Sequence, residues 1–475
     1  FFKQKTAYEI STRDWSSDVC SSDLNSRLAR LGARLGFGHA ATSARKVFAG
    51  AERREQLSRD RELRTAQQIA AELGNMKGAL MKLGQMASYL DDGLPEPLRM
   101  ALSQLQSQAP PMSNDLVRDV IREELGGEVE DLFVEFDEQP IAAASIGQVH
   151  RAIILDPSTG AERAVAVKVQ YPGVAEAIDA DLRTADLLGA LLALGFRSLN
   201  PEEMVAEIKD RLREELDYTL EADNQRLFAG FYRGHPFVNV PDVVDAYSTR
   251  RVLTTELVTG ATFDEVTGWS QEERDMAGEA IFRFVFRSLY RFRAFNGDPH
   301  PGNYVFHGGG RVTFLDFGLV KHFTAEEMEM FQSMVRSAVL DGDMAEYRRI
   351  VEEAGMLQKD APVSTEDAGD YFAHFYEPVR ESRRIEWTSG YATSIVRHTF
   401  DRTSSIAQYA TVPRSFVFIQ RINLGLYAIL GRLGCAGNFR RISEELWPMT
   451  AAPASTPMGE AEAAWMAART GSNIV

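Results

Sequence analysis

Asn296-Gly297-Asp298-Pro299-His300-Pro301-Gly302-Asn303, then Val312-Thr313-Phe314-Leu315-Asp316-Phe317-Gly318-Leu319-Val320, is the stretch on which the reading of this chain turns. Asp298 and Asn303 stand five residues apart, and Asp316-Phe317-Gly318 closes an apolar run. Phosphoryl transfer needs a carboxylate near the attacking group, a neutral oxygen donor on a metal, and a second carboxylate on that metal. Mg²⁺ binds through one or two carboxylates together with phosphate oxygens. One short loop bearing Asp and Asn, then a strand ending in Asp, would supply that set.

The spacing Asp-x4-Asn, with Asp-Phe-Gly after it and Val165-Ala166-Val167-Lys168 before it, follows the order of a kinase-like nucleotide site. In that reading Lys168 reaches the α- and β-phosphates and is tethered by a carboxylate; in the plainer reading it faces water from a strand edge. Glu214, Asp217 and Glu221 fall at i, i+3 and i+7, on one face of a predicted helix. They are either partners of cations or a solvated acidic face. Ala142, Ala143, Ala144, Ser145, Ile146, Gly147 and Gln148 occupy the place of a phosphate-covering loop, with Gly147 its only glycine. Glu256 and Val258 hold the place of an adenine-binding hinge, a reading that rests on position. After Gly318 a capping-box pattern, Thr324 to Glu327, opens a helix within six residues. No long activation loop and no Ala-Pro-Glu fit there, which points away from a peptide platform.

At 475 residues the chain can hold two or three domains, and 44% apolar with 25% charged residues is the composition of a soluble globular protein. A net charge of -16 argues against a nucleic-acid binder and requires any bound nucleotide to be neutralised locally. Two cysteines, Cys20 and Cys435, are too few for a disulfide scaffold or a thiolate zinc site and fit a reducing interior. Phe416 to Leu433 is the nearest approach to a membrane span, but Gln420, Arg421, Asn423 and Arg432 interrupt it, and no transmembrane helix is predicted.

Residues 1–24 resemble the translation of a sequencing adapter and are set aside from the fold. Residues 25–110 are expected as a helical extension, whose apolar stripe Ile69, Leu73, Met76, Leu80, Leu83, Ala87 and Leu90 steps by threes and fours. Residues 111–258 alternate as short strands with two helices, 259–447 turn mostly helical, and 448–475 are Ala/Pro/Ser-rich and expected as a disordered tail. The fold class is α+β. A small β-rich lobe precedes a larger helical lobe, and a nucleotide is expected between them.

Together these residues resemble the UbiB/AarF family of atypical kinase-like proteins over roughly residues 60 to 435. Lys82-Leu83-Gly84-Gln85 is similar to its KxGQ motif, Ala142 to Gln148 to its alanine-rich loop, and Glu215-Leu216-Asp217 to its ExD motif. Asp298 to Asn303 and Asp316-Phe317-Gly318 are similar to its catalytic and metal-binding loops. The resemblance implies a protein-kinase-like two-lobe fold whose N-terminal extension lies across the protein-substrate site, with Lys82 and Gln85 meeting Glu215 and Asp217 in a regulatory role. It implies Glu221 as the partner of Lys168, ATP or ADP with Mg²⁺ as cofactors, and weak ATPase behaviour. It further implies support of isoprenoid-quinone biosynthesis or lipid homeostasis without protein phosphorylation in trans. One departure is Asn296-Gly297, where the family often has His-Ala.

The expected mechanism has Asp316 and Asn303 holding Mg²⁺ and Asp298 orienting the attacking hydroxyl or water. Expected partners are the nucleotide and a lipid or quinone precursor. The expected location is the cytoplasm, with peripheral contact at the inner face of its membrane left open. Oligomeric state is not legible. A nucleotide-regulated scaffold that makes no phosphorylated product stands as the alternative, and a small-molecule kinase of the choline or aminoglycoside type is the third.

Overall fold

The computed structural model describes residues 113–144, 146–175, 214–399, 404, 406, 408–411 and 413–470. Lys82, Gln85, Ser145 and the expected extension up to residue 110 lie outside these. Chain contacts divide the molecule into two units. The first takes Val167–Tyr218 and Tyr247–Leu253 with everything up to Arg163; the second takes Ala164–Ala166, Thr219–Ala246 and Thr254 onward.

In the first unit, helix α1 (Asn114–Leu125) buries Val117, Val120 and Ile121, the i, i+3, i+4 stripe of an amphipathic helix. It stops at Gly126, whose φ of 76° is the left-handed cap that glycine adopts without cost. A one-turn helix α2 (Val129–Leu132) follows. Strands β1 (Glu135–Phe136), β2 (Ala142–Ala144), β3 (Gly147–Leu155), β4 (Glu162–Gln170) and β6 (Val252–Glu256) form one sheet of order β1-β3-β4-β6, with β2 also paired to β3. On β4, Val165, Val167 and Val169 are wholly buried and alternate with less buried neighbours, as one packed sheet face requires.

The second unit begins in helix α3 (Tyr218–Phe231) and includes β5 (Val238–Asn239), which pairs with β9 (Val312–Phe314) and through it with β8 (Tyr304–Phe306). Helix α4 (Phe263–Thr267) opens on a complete capping box, Thr262 with Glu265. Helix α5 (Gln271–Phe292) is capped by Ser270 and buries Ala277, Ala280, Ile281, Phe284, Val285, Ser288 and Leu289 along one side. Strand β7 (Ala294–Asn296) pairs with β10 (Val320–His322). Further helices are α6 (Ala325–Val335), α7 (Met344–Glu353), α8 (Thr365–Ala373), α9 (Glu377–Arg380), α10 (Ser389–Thr399), α11 (Arg414–Leu433), α12 (Phe439–Leu446) and α13 (Pro457–Thr470); β11 (Ile385–Glu386) pairs with β12 (Ala436–Gly437). Phenylalanines 228, 282, 284, 295, 306, 314 and 317 crowd one core with Leu426 and Leu430. Among the described residues no helix is long and apolar enough to cross a membrane.

Two expectations are corrected. The helix predicted to carry Glu214, Asp217 and Glu221 is interrupted at Leu216-Asp217 and restarts at Tyr218. Glu214, Asp217 and Glu221 therefore do not line one continuous helical face. The tail expected to be disordered beyond Pro448 contains α13 instead, and its Glu462 is 1% exposed. Composition concealed an ordinary helix start: the Thr456 hydroxyl accepts from the Gly459 N–H at 3.0 Å, with Pro457 just inside. The helix is retained by a buried ionic cluster. Arg283, wholly buried, reaches Glu279 at 2.7 Å, Glu445 at 2.8 Å and Glu462 at 2.9 Å. Arg287 adds a contact to Glu462 at 3.0 Å.

Candidate active site

In the second unit the pairing Asn296↔Val320, Phe295↔Lys321 and Ala294↔His322 lays the residues before Asp298 beside those after Asp316. The Gly297 N–H donates to the Leu319 carbonyl at 2.7 Å. A Cβ on Gly297 would stand 3.1 Å from Leu319 Cγ, so a side chain would press the two segments apart. Asn303 Nδ2 donates to the Asp298 carbonyl at 3.1 Å and to its Oδ2 at 3.2 Å, which draws both ends of the loop together. His300 Nδ1 accepts from the Gly302 N–H at 3.1 Å and caps the single 3₁₀ turn Pro301–Asn303. Beneath it α11 approaches closely, because a Cβ on Gly425 would fall 2.2 Å from Pro299 Cγ. Tyr304, Asn296, Asp298, Asn303, Phe314 and Leu426 line a small cleft here. Burial, then the charge of Asp298, holds the Tyr304 hydroxyl well above its usual pKa, so it stays protonated.

The Asp316 turn is held as firmly. Asp316 Oδ1 accepts from the Gly318 N–H at 2.9 Å. Phe317 is fully buried, its ring 5.0 Å from that of Phe228. Asn224 Nδ2 donates to the Phe317 carbonyl at 3.1 Å. A Cβ on Gly318 would meet Asp316 Oδ1 at 3.3 Å and Glu221 Oε2 at 3.6 Å, so these two carboxylates flank one glycine. Glu221 is only 7% exposed. Two carboxylates this near, one of them buried, favour a cation beside them. The set of Asp, Glu and Asn oxygens is the hard-donor chemistry of Mg²⁺. At the hinge position the Glu256 N–H goes to the Asp242 carbonyl at 2.9 Å and the Leu257 N–H to that of Ala164 at 3.2 Å, with Val258 half-buried.

In the first unit Lys168 sits on β4, an inner strand, between wholly buried Val167 and Val169, its Nζ 5.0 Å from the Tyr218 ring centroid. The plainer reading, an edge-strand lysine, does not hold. The alanine-rich segment is a tight hairpin: Ala142↔Val149, Ala143↔Gln148 and Ala144↔Gly147 are paired, and the chain reverses between Ala144 and Gly147. Ile146 is buried, and its carbonyl accepts from the Tyr171 N–H at 2.9 Å. Gln148 is 1% exposed and its amide meets the His150 ring at 2.9 Å, so that side chain belongs to the interior. Asp217 Oδ2 lies 3.9 Å from Arg250 Nε, and Glu215 is half-buried.

The ABC1 atypical kinase-like domain matches residues 104–351, over half of the sequence. The chain belongs to that family. It is 34% identical over 343 residues to the rat mitochondrial atypical kinase COQ8B, covering 70% of this chain and 63% of that one. It is 31% identical over 286 residues to the yeast mitochondrial atypical kinase COQ8, covering 60% of this chain and 56% of that one. The chain thus spans less than two thirds of these relatives. Among solved structures it is similar to Rv3197 of Mycobacterium tuberculosis, determined as a complex with erythromycin: TM-score 0.59, 31% identity, 84% of this chain and 100% of that one. The kinase-like α+β fold expected from the sequence is the fold of this ABC1-family chain.

The second unit of the ABC1-family chain brings Glu221, Asp298, Asn303 and Asp316 into one framework, and the first holds Lys168 half-buried on an inner strand beside the Tyr218 ring. Asn296, Asn224 and Tyr304 escape the sequence reading. Asn296 carried a signal, since an amide before the Asp298 loop departs from the His often found there in the resembled family; Asn224 carried none, because its partner is distant in the chain. Gly147 has a structural reason that phosphate approach does not supply: a Cβ there would fall 2.3 Å from the Val169 carbonyl oxygen and 2.8 Å from the Tyr218 hydroxyl. Gly147→Ala is therefore expected to cost about 1–3 kcal/mol by forcing the start of β3 from the end of β4. Denaturant unfolding reads this, and an unchanged midpoint would show that the strands yield.

Proposed function

We propose that this chain binds ATP or ADP with Mg²⁺ and acts as an atypical kinase or ATPase that supports isoprenoid-quinone biosynthesis or lipid homeostasis. The observation that carries this reading is the tying of the Asp298–Asn303 loop to the Asp316 turn, with Glu221 beside the latter. Asp316 and Asn303 would hold Mg²⁺, which when bound neutralises charge on the phosphates. The contacts of Asn303 Nδ2 with Asp298 turn the amide oxygen, the ligand atom, away from that carboxylate. Asp298 orients the attacking hydroxyl or water and accepts its proton late. Lys168 meets the α- and β-phosphates with Glu221 as its partner, the backbone of Ala142 to Gln148 covers the phosphates, and Glu256 and Val258 meet the adenine. Lys82 and Gln85, with Glu215 and Asp217, regulate access. Positioning and charge neutralisation supply most of the acceleration.

The short segment after Gly318 supports a non-protein acceptor. It enters β10 at once, pairs back onto β7, and the Phe323 N–H donates to the Arg293 carbonyl at 2.9 Å before Thr324 caps α6. Little chain is left to seat a peptide. A lipid or quinone precursor as partner is consistent with the COQ8 relatives. Supplying purified protein with γ-labelled ATP, with and without anionic vesicles and polyprenyl quinone precursors, tests the reading. Label on lipid or precursor means kinase, and label released as phosphate means ATPase. Nucleotide binding without turnover would move the chain to a nucleotide-regulated scaffold.

A further inference from the structure

We infer that Asn296 is a positioning residue for phosphoryl transfer, a two-ended clasp that sets the register between the two catalytic aspartates. Its Nδ2 donates to the Asp316 backbone carbonyl at 2.6 Å. Its Oδ1 accepts from the Asp298 backbone N–H at 3.4 Å. One planar amide thus touches the main chain of both residues whose carboxylates do the work, although they are eighteen positions apart. The backbone of Asn296 is itself fixed, because it is the last residue of β7 and pairs with Val320 just beyond the Asp316 turn. Side chain and strand therefore brace the same two segments from one anchor.

The residue type follows from this duty. The site asks for a donor toward a carbonyl and an acceptor toward an N–H at once. An amide offers both in one plane and in one charge state. A carboxylate there would accept at both ends and repel the Asp316 carbonyl. Alanine would leave a half-buried carbonyl and N–H to seek other partners. Neither change touches nucleotide directly, so the expected signature is displaced carboxylates rather than lost binding surface.

This inference rests on the proposed Mg-nucleotide reading, and the experiment separates the two. Asn296→Ala and Asn296→Asp are compared with the parent full-length protein by amide hydrogen exchange without nucleotide, and by Mg-ATP turnover across a Mg²⁺ titration. Exchange at Asp298 and over residues 316–320 is expected to rise in both variants. The kcat is expected to fall about 10- to 100-fold, with a similar rise in half-saturating Mg²⁺, while KM for ATP stays within about threefold of the parent value. Unchanged exchange would remove the clasp itself. Faster exchange with kcat and Mg²⁺ dependence unaltered would make Asn296 a structural residue only, and the inference would fall. A parent protein that neither binds nor hydrolyses Mg-ATP would overturn the functional reading, and with it the catalytic part of this inference, while exchange still decides whether the clasp exists.

Discussion

Asp316→Asn is expected to abolish Mg²⁺-dependent nucleotide turnover, with kcat lowered about 10²- to 10³-fold or more. That loss corresponds to roughly 3–4 kcal/mol of transition-state stabilisation. The substitution is close to isosteric. An amide oxygen can still accept from the Gly318 N–H, as Asp316 Oδ1 does at 2.9 Å. The Asp316 carbonyl still receives Asn296, and Phe317 stays in the core against Phe228. What disappears is one negative charge, beside Glu221 at the Gly318 turn. Stability should therefore hold or rise slightly, because two neighbouring carboxylates become one. Measured turnover with a melting curve separates the outcomes: activity retained at the parent level would take Asp316 out of the site, and activity lost with the melting temperature unchanged is the expected result.

Arg283→Met carries the largest effect on the fold. Arg283 is wholly buried and faces three carboxylates, Glu279, Glu445 and Glu462, each within 3 Å. Its removal leaves those charges together without their central cation, an expected loss of about 3–5 kcal/mol. Urea unfolding at neutral pH reads it, and a change below about 1 kcal/mol would show that water or the neighbouring Arg287 replaces the guanidinium. The same cluster gives a pH signature. Burial would raise the Glu462 pKa, but His235, Arg287 and Arg283 outweigh it and hold the group at about 2, against an ordinary value of 4.5. A depressed carboxyl pKa stabilises the fold fully above the unfolded value and loses that contribution as pH falls toward the folded one. Stability should thus fall between pH 4.5 and 2, and Glu462→Gln should flatten that part of the curve. Burial keeps His235 from protonating readily, so it adds no positive charge to the cluster near neutral pH.

Both predictions sit at sites of unequal legibility. The candidate residues around Asp316 stood out in the sequence because phosphoryl-transfer chemistry asks for particular residue types at local spacing: Asp298 and Asn303 share one turn, and Asp316, Phe317 and Gly318 another. The capping box at Thr324 was equally open, since end chemistry is a local property. The ionic cluster was closed to such reading. Arg283 and Glu462 are 179 positions apart, and a charged residue in a sequence gives no sign that it will be wholly buried. Hence an Ala/Pro/Ser-rich tail reads as disordered, although a single carboxylate, Glu462, draws it into the core. The break before Tyr218 was hidden for a related reason: the Tyr218 N–H goes to the Arg250 carbonyl at 3.0 Å, a partner far along the chain.

The amino-acid order alone determined the family and the kinase-like fold, and it singled out Lys168, Glu221, Asp298, Asn303 and Asp316 as candidates, because those features depend on side-chain chemistry and on neighbours within a turn or two. Tertiary structure decided which groups hold the main chain of the candidate site in place: Asn296 across to Asp316, Asn224 to Phe317, Gly425 beneath Pro299. It also decided that the C-terminal segment is helix. Hydrogen bonds and packing between distant residues depend on where the backbone passes, and that is settled only when the whole core has closed.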